Sequence, residues 1–284
     1  MQSQFLIIGC IIVGSLVLIV LVCFLSFLHF RNTFKTDIKV LLHNNSPHNA
    51  ELLTESDLDD LPEIVRKYIR YSGAVNKPRV VNFSVKLEGT LRQNEQSPWM
   101  SFTSTQYNGV IQPARLFFLK AIMKHLPVSG YHRCISGVAY MDIRLLSLFR
   151  VQHAEGPQLN IAEAVTMFND MCVMAPATLI DKRISWSGIG DQSVVATFSN
   201  GGIVISANLY FNSIGELVEF ISHDRYAVQP DGSMQRYPWV TPMSNYHDYH
   251  GTRLASQAHA VLKYPAGDFC YGTFKVNGVR YNID

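Results

Sequence analysis

The stretch SVVATFSNGGIVISANLYFNSIGELVEFISHDRY, residues 193–226, decides the fold class. Apolar and polar residues alternate on both sides of Asn200-Gly201-Gly202, whose central positions accept positive φ, as a tight hairpin turn requires. Asn212–Gly215 then turns the chain into a third run, Glu216–Tyr226. This is the pattern of an antiparallel meander. Upstream, Asn82–Glu88 repeats the period of two, and Trp99–Asn108, Arg115–Lys124 and Val138–Leu148 carry similar patterns. Downstream, a turn at Pro230-Asp231-Gly232 leads to strands near Trp239, Ala258 and Phe274. One helix, Asn160 to Met174, interrupts the strands and is closed by Pro176. A shorter one runs from a cap at Ser56 or Asp57 to Tyr71 and stops at Gly73. The expected fold is mainly β (α+β): a curled antiparallel sheet or half-open barrel of about 10–12 strands with one inserted helix, since so long a sheet curls or closes.

The other deciding stretch is FLIIGCIIVGSLVLIVLVCFLSFL, Phe5–Leu28, 24 residues without a charge. As a helix it reaches about 36 Å, enough for a hydrocarbon core of about 30 Å. A cleaved signal peptide fits poorly, because the run is long, no basic segment precedes it and no small-residue cleavage site follows. Residues 1–30 therefore read as a transmembrane anchor that partners the bilayer through residues 5–28. Residues 31–55 read as a juxtamembrane tether, with Asn44-Asn45-Ser46-Pro47 breaking any continuing helix, and residues 56–284 as the β-rich soluble domain. Arg31, Lys35 and Lys39 follow the span and no Lys or Arg precedes it, so the positive-inside rule favours a cytoplasmic domain on a single-pass inner-membrane protein.

Composition excludes several classes. Charged residues make up 16% and the formal net charge is +2, so no field recruits nucleic acid. Phosphate-binding glycine loops, the G-x-S-x-G elbow and H-E-x-x-H are missing, and no cofactor is implied. Cys134, Cys172 and Cys270 lie outside the apolar run with no zinc-like spacing. By contrast, 16 Phe, 13 Tyr, 3 Trp and 9 Met supply many bulky side chains, which fill a core or line an adaptable pocket.

Four polar groups are candidates for the mouth of such a pocket: Asp170, Arg133, Asp224 and Tyr107. Asp170 follows Asn169 on the inserted helix amid Met167, Phe168, Met171 and Cys172. It is either a buried carboxylate with a raised pKa or part of a wet helix face. Asp224, in His223-Asp224-Arg225-Tyr226, would need a cationic partner if buried, and Arg133 or Arg115 could supply one. His132 beside Cys134 is poor geometry for a Cys–His pair. In Tyr246–His250, His247 and His250 face opposite sides of a regular strand, so no metal site is expected.

LPEIVRKYIRYSGAVNKPRV, PWMSFTSTQYN, PARLFFLKA, FNDMCVMAPATLID, TFSNGG, LYFNSIGELVEFISHDRY and YGTFKVNGVRYNID together resemble an uncharacterised bacterial family, a domain of unknown function often preceded by a membrane span. The resemblance covers Leu61 to Asp284. The strand–helix–strand order of that family is similar to the half-open barrels of lipoprotein-localisation proteins, which implies an apolar cavity for acyl chains. The expectation is a membrane-anchored binding protein for a hydrophobic or amphiphilic, lipid-like ligand. A hydrolase using Asp170 with Asp224 or a His, and a membrane-tethered interaction module, are the alternatives.

Overall fold

The computed structural model describes residues 2–48, 50–188, 190–229 and 231–284; Pro230 of the expected turn lies outside them. A first helix, α1, runs unbroken over Gln2–Asn44, about 65 Å at the usual rise. Its first half is exposed on all sides, and it is the one helix among the described residues long and apolar enough to cross a membrane. Its second half is not a loose tether. Phe30, Phe34 and Leu41 are buried against a sheet, so the helix continues through residues 31–44 because packing holds it there, and it ends at the Asn44–Pro47 break.

The second expected helix is split. Thr54 caps a single 3₁₀ turn, Glu55–Leu58, and α2 begins only at Glu63 and ends at Tyr71. Pro62 explains the break, since the residue before a proline is pushed out of the helical region.

The sheet follows. β1 (Asn82–Leu91), β2 (Met100–Gly109), β3 (Ala114–Met123), β4 (Leu126–Ile135), β5 (Val138–Leu145) and β6 (Phe149–Glu155) form one meander. Then comes α3 (Pro157–Met174), and a second meander: β7 (Ile184–Ser187), β8 (Ser193–Asn200), β9 (Ile203–Phe211) and β10 (Leu217–Ser222). A small separate hairpin, β11 (Tyr226–Val228) and β12 (Met234–Arg236), precedes β13 (Trp239–Tyr249), β14 (Thr252–Tyr264) and β15 (Gly267–Tyr281). Thirteen strands make one antiparallel sheet in the order β6-β5-β4-β3-β2-β1-β15-β14-β13-β10-β9-β8-β7. Every neighbour is a hairpin neighbour except two: β10 with β13, and β15 with β1 at the centre, where Phe83 opposes Tyr281. The sheet is open rather than a closed barrel, with β6 and β7 as its edges.

Turn chemistry explains which strands the sequence reveals. Gly201 and Gly202 have φ of 59° and 80°, and Ser136-Gly137 and His250-Gly251 build comparable tight turns. The β3–β4 and β5–β6 turns place Lys124, His125, Leu146 and Ser147 at positive φ with no glycine. Without that signal β4 and β6 are hidden in the sequence.

The sheet's two faces carry different loads. On one, α3 lies in the curved trough, touching β5 and β6 towards one edge and β9, β10 and β14 towards the other. Phe168 stacks on Phe198 at 5.2 Å and meets Phe220 edge-on at 5.9 Å. On the opposite face α1 packs on β2–β4 through Leu116, Phe118 and Tyr131. A clamp fixes its end: Asn45 donates to the carbonyls of Leu41 and Gln112, accepts from the Gln112 N–H, and its own carbonyl accepts from Asn82. Gly109 makes room, because a Cβ there would lie 2.4 Å from the Asn45 amide nitrogen.

Candidate functional site

The trough is not an empty hollow. Met167, Phe168, Met171 and Cys172 of α3 fill it, and the expected apolar cavity is absent among the described residues. Two surface concavities stand out instead. One is a shallow side of α1 near Phe5–Gly14; the other is a half-open cleft of about 250 Å³ with a polar rim that includes Glu63, Lys67, Asp191 and Asn212.

What distinguishes the trough is a buried ionic cluster. Alternation puts Gln106 and Asn108 of β2, Arg115 of β3 and His132 of β4 on the same face, and the register sets Asn108 opposite Arg115. Glu163 and Asp170 are the only charged residues of α3 and stand seven apart, two turns along one helix face. Arg115 joins them: its Nε donates to Asp170 Oδ2 at 2.6 Å, Nη1 to Glu163 Oε2 at 3.0 Å and Nη2 to Gln106 Oε1 at 3.3 Å. Gln106 also donates to Asp170 Oδ2 at 2.7 Å, and His132 Nδ1 lies 3.3 Å from Glu163 Oε1. Arg115, Glu163 and Asp170 are 6%, 3% and 3% exposed.

The two carboxyls differ. Burial opposes charge on Glu163, but Arg115 and His132 outweigh it and hold the group at about 2. Burial dominates at Asp170, whose pKa is raised despite the Arg115, Asn108 and Gln106 bonds. Burial also works against charge on Arg115, and the two acids more than restore it. The cluster is thus one buried guanidinium shared between two carboxyls, Glu163 held low and Asp170 pushed up by burial. His132 and Cys134, two apart on β4, share the trough face against expectation, but they form no activated nucleophile: His132 turns to Glu163, and burial and the neighbouring Glu163 push the Cys134 thiol up to about 12.

Of the four residues singled out from sequence, only Asp170 is in this cluster. Tyr107 and Arg133 point to the opposite face, where Phe34 meets the Tyr107 ring at 6.2 Å and Arg133 Nε donates to Asp37 at 3.1 Å. α1 therefore brings those two near each other but away from Asp170. Asp224 sits beyond β10, accepting from the Ser206 N–H at 2.8 Å with Arg236 at 3.7 Å, so its cation is neither Arg133 nor Arg115. Asp170 and Asp224 do not converge, and the histidine of the cluster, His132, meets Glu163 rather than Asp170. The residues missed were Glu163, Gln106 and Asn108. Arg115 was placed with the wrong acid. The seven-residue spacing of the two lone charges on α3 was the available signal. His247 and Asp248 lie exposed near the end of β13, and no group of metal-ligating side chains forms among the described residues.

Residues 51–274 match the model of a family described as a family of unknown function (DUF6544). The chain belongs to that family. The DUF6544 match agrees with the resemblance carried by the sequence motifs. No curated protein matches the chain. Among solved structures the chain is similar to a LolA-superfamily protein from Nitrosomonas europaea, with 8% identity, TM-score 0.42, and coverage of 78% of this chain and 93% of that one. It is also similar to a DUF1329 family protein from Desulfovibrio piger, with 9% identity, TM-score 0.40, and coverage of 82% and 95%.

Proposed function

We propose that this DUF6544 chain is a single-pass inner-membrane protein whose β-rich domain takes up a hydrophobic or amphiphilic, lipid-like ligand beside the bilayer. The observation that carries the reading is α1: the uncharged run from Phe5 to Val22 is exposed on all sides, and the half of the helix after Leu25 is packed onto the sheet. Such a helix would hold the domain at a fixed height over the ligand's reservoir, raising local concentration without high intrinsic affinity. The basic residues after the span, Arg31, Lys35 and Lys39, favour the cytoplasmic side.

Because α3 fills the trough, uptake is an exchange: the ligand's apolar part replaces Met167, Phe168 and Met171 as α3 moves out. The ionic cluster supports this. A buried ion pair adds little net stability over apolar packing, yet it is strongly position-dependent, which suits an element with two positions. With α3 displaced, Arg115 is freed for an anionic headgroup, and Asn169 already carries a buried amide nitrogen without a partner. The test uses full-length protein in detergent with a fluorescent fatty-acyl probe and mass analysis of co-purified lipid. Uptake that rises in Glu163→Gln supports the exchange. No probe binding and no extractable lipid, in either protein, overturns it. The filled trough favours one second reading, a membrane-tethered interaction module, for which cross-linking in membranes would trap a protein and not a lipid.

A further inference from the structure

Contacts along α1 fix which end of the sheet faces the uncharged half of the helix. Asn45 meets Gln112, Asp37 meets Tyr131, Phe34 and Phe30 meet Phe118, and Phe27 meets Lys120. From Ala114 to Lys120 the strand advances about 20 Å, and from Asn44 back to Phe27 the helix advances about 26 Å, so both run the same way from the Asn45–Gln112 clamp. β3 beyond Lys120 therefore continues alongside the last turns of Phe5–Leu28. In agreement, Cys23, Ser26, Phe27 and Leu28 are already half-buried. The row Lys120, Ser129 and Arg144 crosses three strands, and the Arg144 guanidinium lies 4.6 Å from the Phe30 ring centre. The β3–β4 and β5–β6 turns both extend past that row.

Their chemistry is uniform. Ile122, Leu126 and Phe149 are 65%, 42% and 57% exposed, and Lys120, Lys124, His125 and Arg150 are exposed around them. Neither segment 120–129 nor 144–151 contains an acid, and the buried Asp142 just before the second takes Arg144 and Arg150 as its partners at 2.7 and 3.3 Å, which leaves Lys120 and Lys124 as the cations of the tips. Trp99, at the same end of β2, is also exposed. The turns at the opposite end, around Ile111 and Val138, carry exposed apolar groups without basic ones. Apolar tips inside a basic collar, level with the end of a membrane span, match the boundary between headgroups and acyl chains of an anionic bilayer.

We propose that the β3–β4 and β5–β6 turns are a second membrane contact, inserting Ile122, Leu126 and Phe149 into the bilayer that α1 crosses while Lys120 and Lys124 meet anionic headgroups. The proposal rests on the reading of α1 as a span, and the test separates the two. Full-length chains carrying Leu126→Trp, Phe149→Trp, Val138→Trp or Leu18→Trp are placed in phosphatidylglycerol bilayers with brominated acyl chains. Fluorescence quenching is read as the increment over the unsubstituted chain. Leu126→Trp and Phe149→Trp should be quenched at least about threefold more than Val138→Trp, and less than Leu18→Trp. If Leu18→Trp is quenched but the two turn reporters match Val138→Trp, the span stands and the second contact falls. If Leu18→Trp is not quenched, both fall.

Discussion

The two faces of β2–β4 are made from alternate residues of the same strands, yet they hold their helices in opposite ways. Towards α1 the strands offer Tyr107, Leu116, Phe118 and Tyr131, where Phe34 stacks on Phe118 at 5.1 Å, and their ion pair with the helix, Arg133–Asp37, is half-buried beside these rings. Towards α3 they offer Gln106, Asn108, Arg115 and His132. Aromatic packing is stable at any pH and tolerant of small shifts. A buried ion pair is satisfied in one arrangement and costly in most others. One face fixes its helix to the sheet; the other makes its helix conditional.

The largest effect that could break this contrast comes from Arg115→Leu, which leaves two carboxyls buried without their cation. It should cost about 4 kcal/mol in urea unfolding at neutral pH. A loss within about 0.5 kcal/mol would mean the cluster holds nothing. Next, Phe34→Ala should cost about 3 kcal/mol by opening a cavity under α1. Its cost should not change between pH 3 and pH 7, whereas that of Arg115→Leu should shrink in acid as Glu163 protonates.

The subtlest contrast lies within α3. Glu163 is held near 2, below its ordinary 4.5, so its contribution of about 3 kcal/mol is complete above pH 4.5 and fades as pH falls towards 2. Asp170 is raised above its ordinary 3.8, so its ionisation opposes folding as pH rises through the folded value. Glu163→Gln should therefore lower stability at neutral pH and flatten the acid limb. Asp170→Asn should change neutral stability by less than about 1 kcal/mol. Equal effects would show that the two carboxyls share one role.

Strand alternation and the Asn200-Gly201-Gly202 turn made the meanders legible, and the uncharged run marked α1. The inserted helix was legible from Asn160 onward. The limit lay in turns whose backbone does not advertise itself: at Lys124-His125 and Leu146-Ser147, ordinary side chains occupy positive φ, so β4 and β6 merged with their surroundings. Period two also tells that Tyr107 and Gln106 face opposite ways, but not which face meets which helix. Choosing Tyr107 and Arg133 for the trough was that ambiguity resolved wrongly. The filling of the trough was illegible for a different reason. Met and Phe at helical spacing are the same letters whether a helix plugs a groove or borders one.

The seam between β1 and β15 has a consequence for biosynthesis. Of the strands described, the one that completes the middle of the sheet is the last to leave the ribosome. Until it arrives, β1 and β14 each present an open row of backbone donors and acceptors. A nascent chain stalled before Gly267 would therefore expose two half-sheets prone to pairing with the wrong neighbour, and the emergence of β15 is the event that zips them into one.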